Sequence, residues 1–170
     1  MIKPVKDFVE EFLKTKGMPK KLLEVGSLDV NGSVREMFKC DYTGIDLKDG
    51  PSVDIKMDAM DIKKRFREGE FDMVICLETL EHVKDPITIV NNMKWVLRKN
   101  GWMLITTPGI GHPEHNWPSD YYRFFQNTYG DIFFEDFADC RFETLIWDSP
   151  ELVNNTRYPH AVLGYGRKQT

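Results

Sequence analysis

The chain has 170 residues, 41% apolar and 29% charged, with a formal net charge of −4, which suits one domain with a packed core. No run approaches the roughly eighteen uninterrupted apolar residues of a membrane span, and MIKPVKDFVEEFLKTKG mixes charge into its apolar pattern unlike a signal peptide, so a cytoplasmic protein without membrane contact is expected. The acid surplus speaks against a nucleic-acid partner, and Cys40, Cys76 and Cys140, with no CxxC spacing, speak against a disulfide framework or zinc knuckle.

Val5, Phe8, Val9, Phe12 and Leu13 recur at helical spacing. Glu10 stands four before Lys14 in the favourable orientation, and Gly17 with Pro19 ends that helix. Residues 22–26 form a short apolar run closed by glycine and predict a buried strand. Val34, Met37 and Phe38 predict a short helix, and residues 42–46 and 53–57 the next two strands. Asp61 is expected to cap a helix reaching Phe66. Residues 71–77 predict another buried strand. Asp85 and Pro86 supply a cap and a first-turn proline to a helix carrying Ile87, Val90, Met93 and Leu97, which Asn100 and Gly101 stop. Residues 102–107 predict the fifth strand.

Beyond it, residues 108–127 form a loop rich in proline, histidine and aromatics, followed by a helix over 131–137 and strands over 142–147 and 161–165. Strands alternating with helices predict an α/β fold: a doubly wound, mostly parallel, Rossmann-like seven-stranded sheet with a C-terminal antiparallel hairpin. No linker or repeat divides the chain. The expectation is one domain over 1–170: an N-terminal helix (1–21), a cofactor-binding half (22–107), and an acceptor loop with hairpin (108–170).

Ligands of such sheets gather outside the carboxyl ends of the strands, at the switch in strand order. Gly26, Asp46, Asp58 and Glu78 follow four successive strands. A carboxylate at Asp46 suits a pair of ribose hydroxyls. Singly, each has an ordinary reading as a turn glycine, a helix cap or a solvated acid; the signal lies in their order.

The segments Leu23-Glu-Val-Gly-Ser27, Gly44-Ile-Asp46, Met57-Asp-Ala-Met60, Phe71-Asp-Met-Val-Ile75, Leu80-Glu-His-Val83 and Leu104-Ile-Thr-Thr-Pro108 resemble class I S-adenosylmethionine-dependent methyltransferases, and more narrowly their small stand-alone type 11 group. The resemblance covers residues 22–125 and implies S-adenosyl-L-methionine as cofactor. It would place Glu24, Gly26 and Ser27 at the methionine end, Asp46 on the ribose, and Leu47 against the adenine. Asp58 would meet the adenine amino group, with Ala59 and Met60 nearby. Leu77 and Glu78 would line the amino-acid end, flanked by His82 and Val83. The family's Glu-x-Gly-x-Gly-x-Gly turn is altered here, with Leu28 in place of the second glycine, so Asp29 or Asn31 is expected to contact the cofactor instead. The missing G-x-G-x-x-G weighs against a nicotinamide dinucleotide.

The implied activity is methyl transfer to an oxygen or nitrogen atom of a small-molecule acceptor. His112 or His115 in the acceptor loop is suited to act as general base; the alternative is a loop stapled by its own polar contacts. A metal held by His112, His115 and Asp120 is the lesser reading, and no metal is expected. Arg123 would pair with an acidic acceptor or with Asp120. Trp117, Tyr121, Tyr122, Phe124, Phe125 and Tyr129 make either packing or a ligand wall. Phe133, Phe134 and Phe137 predict helix core, with any exposed surplus serving a homodimer. A non-catalytic cofactor-binding scaffold and an NAD-dependent oxidoreductase are the competing functions.

Overall fold

In the computed structural model, which describes residues 3–115, 119–146 and 159–170, the N-terminal apolar stripe forms helix α1, Lys3–Lys16, and buries Val5, Phe8, Val9 and Phe12. Gly17 closes it with φ +88°, its N–H donating to the Leu13 carbonyl at 3.0 Å.

Among the described residues seven strands follow: β1 Lys21–Val25, β2 Asp41–Asp46, β3 Ile55–Lys56, β4 Phe71–Leu77, β5 Leu97–Pro108, β6 Phe137–Leu145 and β7 Ala161–Lys168. They form one sheet in the order β3-β2-β1-β4-β5-β7-β6. The first five are parallel, and β7 runs antiparallel to both β5 and β6. The winding reverses between β1 and β4, which places the switch point there.

Alternation along the strands divides the core into two layers. Leu22, Met73, Ile75, Leu77, Leu104, Leu163 and Tyr165 face α1. Leu23, Val25, Val74, Cys76, Met103, Ile105 and Val162 face the opposite layer, with helices α2, Ile62–Arg65, and α3, Pro86–Val96.

Several local expectations are corrected. The segment 34–38 makes only a 3-10 turn, Arg35–Met37. β3 has two residues rather than five, because the Asp54 side chain takes the Gly44 N–H at 2.7 Å in place of a ladder bond. Asp61 stands at the N-cap position of α2, which ends at Phe66 as expected, but makes no capping hydrogen bond; Asp58, extended at φ −77° and ψ 132°, caps the preceding 3-10 turn Ala59–Asp61 by accepting the Met60 N–H. Asp85 caps α3 through the Thr88 N–H, as its sequence signals, with Pro86 in the first turn.

α3 ends at Val96, four residues before Asn100, because Leu97 turns extended and pairs with Phe71. Asn100 (φ +61°) and Gly101 instead form an irregularity inside β5, where a Cβ on Gly101 would lie 2.8 Å from the Asp72 carbonyl oxygen.

The helix expected over 131–137 is replaced by α4, Gln126–Thr128, and a π-helical turn, Tyr129–Phe133. That wider turn turns Tyr129, Phe133 and Phe134 together into the core, and the Tyr129 hydroxyl donates to the Val162 carbonyl at 2.9 Å. β6 therefore starts at Phe137, five residues early. Residue 147 of its predicted span, and Trp117 of the aromatic cluster, lie outside the described residues.

Candidate active site

The ends of β1, β2 and β4, with the segment after β3, enclose a cleft of about 350 Å³. Gly26 forms part of it at φ +79°. A Cβ there would come 2.1 Å from the Thr79 hydroxyl, so only glycine lets the end of β1 meet the turn after β4. The N–H groups of Gly26 and Ser27 both donate to the Ile45 carbonyl, at 2.9 and 3.0 Å.

Leu28 takes the place of a glycine in the loop after β1 because Gly50 leaves it room; a Cβ on Gly50 would lie 2.4 Å from Leu28 Cδ1. Asp29 Oδ1 accepts the Gly32 N–H at 2.6 Å, and the Asp29 N–H donates to the Pro51 carbonyl. Asp29 and Asn31 both line the cleft, but one oxygen of Asp29 is occupied in shaping the loop.

Asp46 is fixed by two backbone donors, Leu28 N–H at 3.3 Å and Lys48 N–H at 2.9 Å. Leu47 beside it is 62% exposed, an apolar side chain held at the rim. Asp58 and Ala59 line the same cleft. Met60 does not; its N–H goes to Asp58 and its carbonyl accepts from Asn92 at 3.1 Å.

Glu24 is buried beneath the cleft and accepts the Tyr42 hydroxyl at 2.6 Å. Burial pushes its carboxyl up to about 7 against the lowering effect of that hydrogen bond. Arg35 covers the Tyr42 ring at 4.8 Å and grips Asp54 with two hydrogen bonds, at 2.7 and 2.9 Å.

Glu78 ends β4 in the left-handed region, φ +51°, a strain that non-glycine residues tolerate mainly where the surroundings enforce it. Its N–H donates to the Thr106 carbonyl at 2.9 Å. Burial first, then the neighbouring Glu81 charge, raises its carboxyl to about 7. Among the described residues, Glu78 Oε1 and Ser27 Oγ are buried without a hydrogen-bond partner, and both residues line the cleft. Leu77, His82 and Val83 complete this wall.

The acceptor loop crosses this end of the cleft. The Tyr121 N–H donates to the Glu81 carbonyl at 2.7 Å, and the Tyr122 hydroxyl to the Lys84 carbonyl at 2.9 Å. Arg123 pairs with Asp120 through both terminal nitrogens and also donates to the His112 and Pro113 carbonyls. The guanidinium holds Asp120 down at about 2. This is the stapled loop that was one of the two sequence readings, and it commits Asp120 to Arg123.

The two histidines then part ways. His115 lines the cleft, with its imidazole raised by the adjacent Glu81 carboxylate, while His112 lies behind it, ring to ring at 4.8 Å and lowered by burial. Sequence reasoning assigned no role to Glu81, whose carboxylate lies 3.5 Å from His82 Nε2 and 3.7 Å from His115 Nε2. A second cavity of about 320 Å³, between Ile110, Phe124 and Val162, shares no wall with the cleft and has no ionisable lining residue.

Over residues 1–138 the sequence matches the methyltransferase-domain family. The chain belongs to this family. Solved methyltransferases share its fold. A SAM-dependent methyltransferase from Archaeoglobus fulgidus superposes with a TM-score of 0.71 at 15% identity, covering 96% of this chain and 94% of that one. The 1,6-didemethyltoxoflavin-N1-methyltransferase of Burkholderia thailandensis, solved with S-adenosylhomocysteine, gives 0.67 at 16% identity, covering 99% and 78%.

Among curated methyltransferases, the ubiquinone biosynthesis O-methyltransferase of Chromobacterium violaceum is 29% identical over 117 residues, covering 59% of this chain and 49% of the relative. That of Thiobacillus denitrificans is 36% identical over 58 residues, covering 34% and 25%. The chain thus spans between a quarter and a half of these two relatives. Among the described residues, no helix of the chain is long and apolar enough to cross a membrane.

Proposed function

We propose that this methyltransferase transfers a methyl group from S-adenosyl-L-methionine to an oxygen or nitrogen atom of a small-molecule acceptor. The observation that carries the reading is the convergence of Gly26, Asp46 and Asp58 on one acid-lined cleft at the switch point. The residues fit this cofactor: carboxylates suit a cationic, phosphate-free ligand, and the unpartnered Ser27 Oγ and Glu78 Oε1 offer polar contacts. When bound, S-adenosylmethionine supplies a methyl group already activated on a sulfonium.

The chain's own residues then bind and align. Asp46 accepts from the ribose hydroxyls, Leu47 covers the adenine, and Asp58 with Ala59 borders the base, Met60 acting only through its backbone. Glu24, Gly26 and Ser27 hold the methionine end, with Leu77, Glu78 and His82 opposite. His115 takes the acceptor's proton at Nε2, with His112 packed behind its ring. The loop over 108–127 excludes water and orients the acceptor, an effect worth up to about 7–11 kcal/mol in well-ordered cases.

The relatives named O-methyltransferase favour an oxygen acceptor. Residues 1–170 act as one unit in this reading, in the cytoplasm. Phe124, Tyr129, Phe133 and Phe134 are buried, so among the described residues Tyr121, Tyr122 and Phe125 are the exposed aromatics available to a homodimer face.

Thermal unfolding with S-adenosylhomocysteine and with NAD tests the cofactor. At a hundred times its dissociation constant a ligand of the folded state adds about 2.7 kcal/mol, a rise in Tm of roughly 5–10 °C for this size. A rise with NAD alone overturns the reading.

A further inference from the structure

We propose that Glu81, His82 and His115 form a binding site for a divalent transition-metal ion at the acceptor end of the cleft. Glu81 sits in the 3-10 turn Leu80–His82 after β4 and is wholly buried. Neither of its carboxylate oxygens has a hydrogen-bond partner among the described residues. An ionised carboxylate removed from water and left without donors is unfavourable, so the bare oxygens mark a place for positive charge.

What faces Glu81 is two imidazole nitrogens. Its Oε1 lies 3.5 Å from His82 Nε2 and 3.7 Å from His115 Nε2, and the two rings meet edge to face at 4.9 Å. The other nitrogen of each ring faces an acceptor. His82 Nδ1 stands 2.6 Å from the Ser119 carbonyl oxygen, which fixes a proton there. His115 Nδ1 stands 3.1 Å from Asp120 Oδ2. With its proton on Nδ1, the His82 ring turns an Nε2 lone pair toward Glu81. The His115 ring, whose Nδ1 lies near Asp120 without a hydrogen bond, presents Nε2 to the same carboxylate and would release the proton held there when an ion binds. Outer acceptors that orient imidazoles in this way are the usual support of metal-binding histidines.

The distances agree. The three donor atoms lie within 4.8 Å of one another; ligands about 2.1 Å from a tetrahedral ion stand about 3.4 Å apart. Two nitrogens and one oxygen suit zinc, cobalt or manganese rather than an all-oxygen cage. Asp120, clamped by Arg123, stiffens the outer shell. Three protein ligands leave coordination positions open to water or an acceptor oxygen. That role for the ion rests on the methyl-transfer reading, in which a bound ion rather than a free His115 Nε2 would activate the acceptor oxygen; the binding itself does not.

The test is titration of chelator-treated full-length protein with Co²⁺, followed by visible absorption, and with Zn²⁺ in competition, alongside S-adenosylhomocysteine binding. One equivalent of Co²⁺ is expected to give d–d bands that Zn²⁺ abolishes. Glu81→Gln, which keeps the side-chain volume, and His115→Ala, at a partly exposed position, should each weaken binding by roughly tenfold or more, with the S-adenosylhomocysteine affinity changed little. No Co²⁺ or Zn²⁺ binding at about 1 mM, weaker than even loose protein metal sites, overturns the site, as does binding that neither substitution weakens. Should Glu81→Gln fail to fold, His115→Ala decides alone. Metal binding without any S-adenosylhomocysteine binding upholds the site and removes the methyl-transfer reading instead.

Discussion

Gly26 and Thr79 touch across the switch point: a Cβ on Gly26 would lie 2.1 Å from the Thr79 hydroxyl. The end of β1 and the turn after β4 therefore share one wall of the cleft, and that wall tolerates no extra methyl. Gly26→Ala must both adopt φ +79° and displace Thr79. A stability loss of about 2 kcal/mol or more is expected, together with weaker S-adenosylhomocysteine binding, measured by urea unfolding and calorimetry.

Asp46 has two backbone donors and room for further ones. Asp46→Ala removes charge-assisted hydrogen bonds to the ribose, so cofactor affinity should fall by about 1–3 kcal/mol. Isothermal titration with S-adenosylhomocysteine reads this directly. An unchanged dissociation constant would mean that the ribose is held elsewhere.

Glu24 gives the protein a pH dependence of defined sign. Its folded-state carboxyl stands at about 7 against an ordinary 4.5. Below 4.5 it is protonated in both states and carries no penalty. As the pH rises through that window the unfolded chain ionises first, so stability is lost progressively up to about pH 7, by about 3 kcal/mol in all. Urea unfolding of the apo protein at pH 5 and pH 8 should show a smaller decline for Glu24→Gln than for the wild type. Equal declines would place the titration on another group.

Arg123 holds the acceptor loop through Asp120 and two carbonyls. Arg123→Met leaves Asp120 without its cation. Limited proteolysis should then cut within 108–127 faster than in the wild type, while S-adenosylhomocysteine affinity stays within about twofold, since surface-loop changes of this kind usually act locally. A parallel loss of cofactor affinity would tie the loop to cofactor binding.

The sheet was legible because each of its central strands carries a run of apolar residues on both faces, as Leu22 and Leu23 or Met73 and Val74 do, between clear stops. Boundaries were less so. The π-helical turn at Tyr129 is set by three aromatics finding the core at once, a tertiary effect that a window of residues does not contain. Asp61 looked like a cap by position, whereas the backbone at Asp58 is what aims a carboxylate at a free N–H. In the cleft, Gly26, Asp46 and Asp58 could be singled out because each closes a strand. Glu81 could not: beside His82 in a polar turn it reads as solvated, and only the fold brings His115, thirty-four positions on, to its carboxylate.

The ring of Phe12 rests against that of Tyr165 at 5.0 Å, and β7 lies between β5 and β6. The cover over the first helix is thus completed by a strand about 150 residues further on. On a ribosome, part of the Phe8 and Phe12 surface stays wet until residues 161–168 have emerged, a high-contact-order arrangement that favours slow, late completion of this layer. Removing the C-terminal strand would leave β5 and β6 as open edges and uncover the apolar face of α1, with aggregation rather than a smaller folded domain as the result.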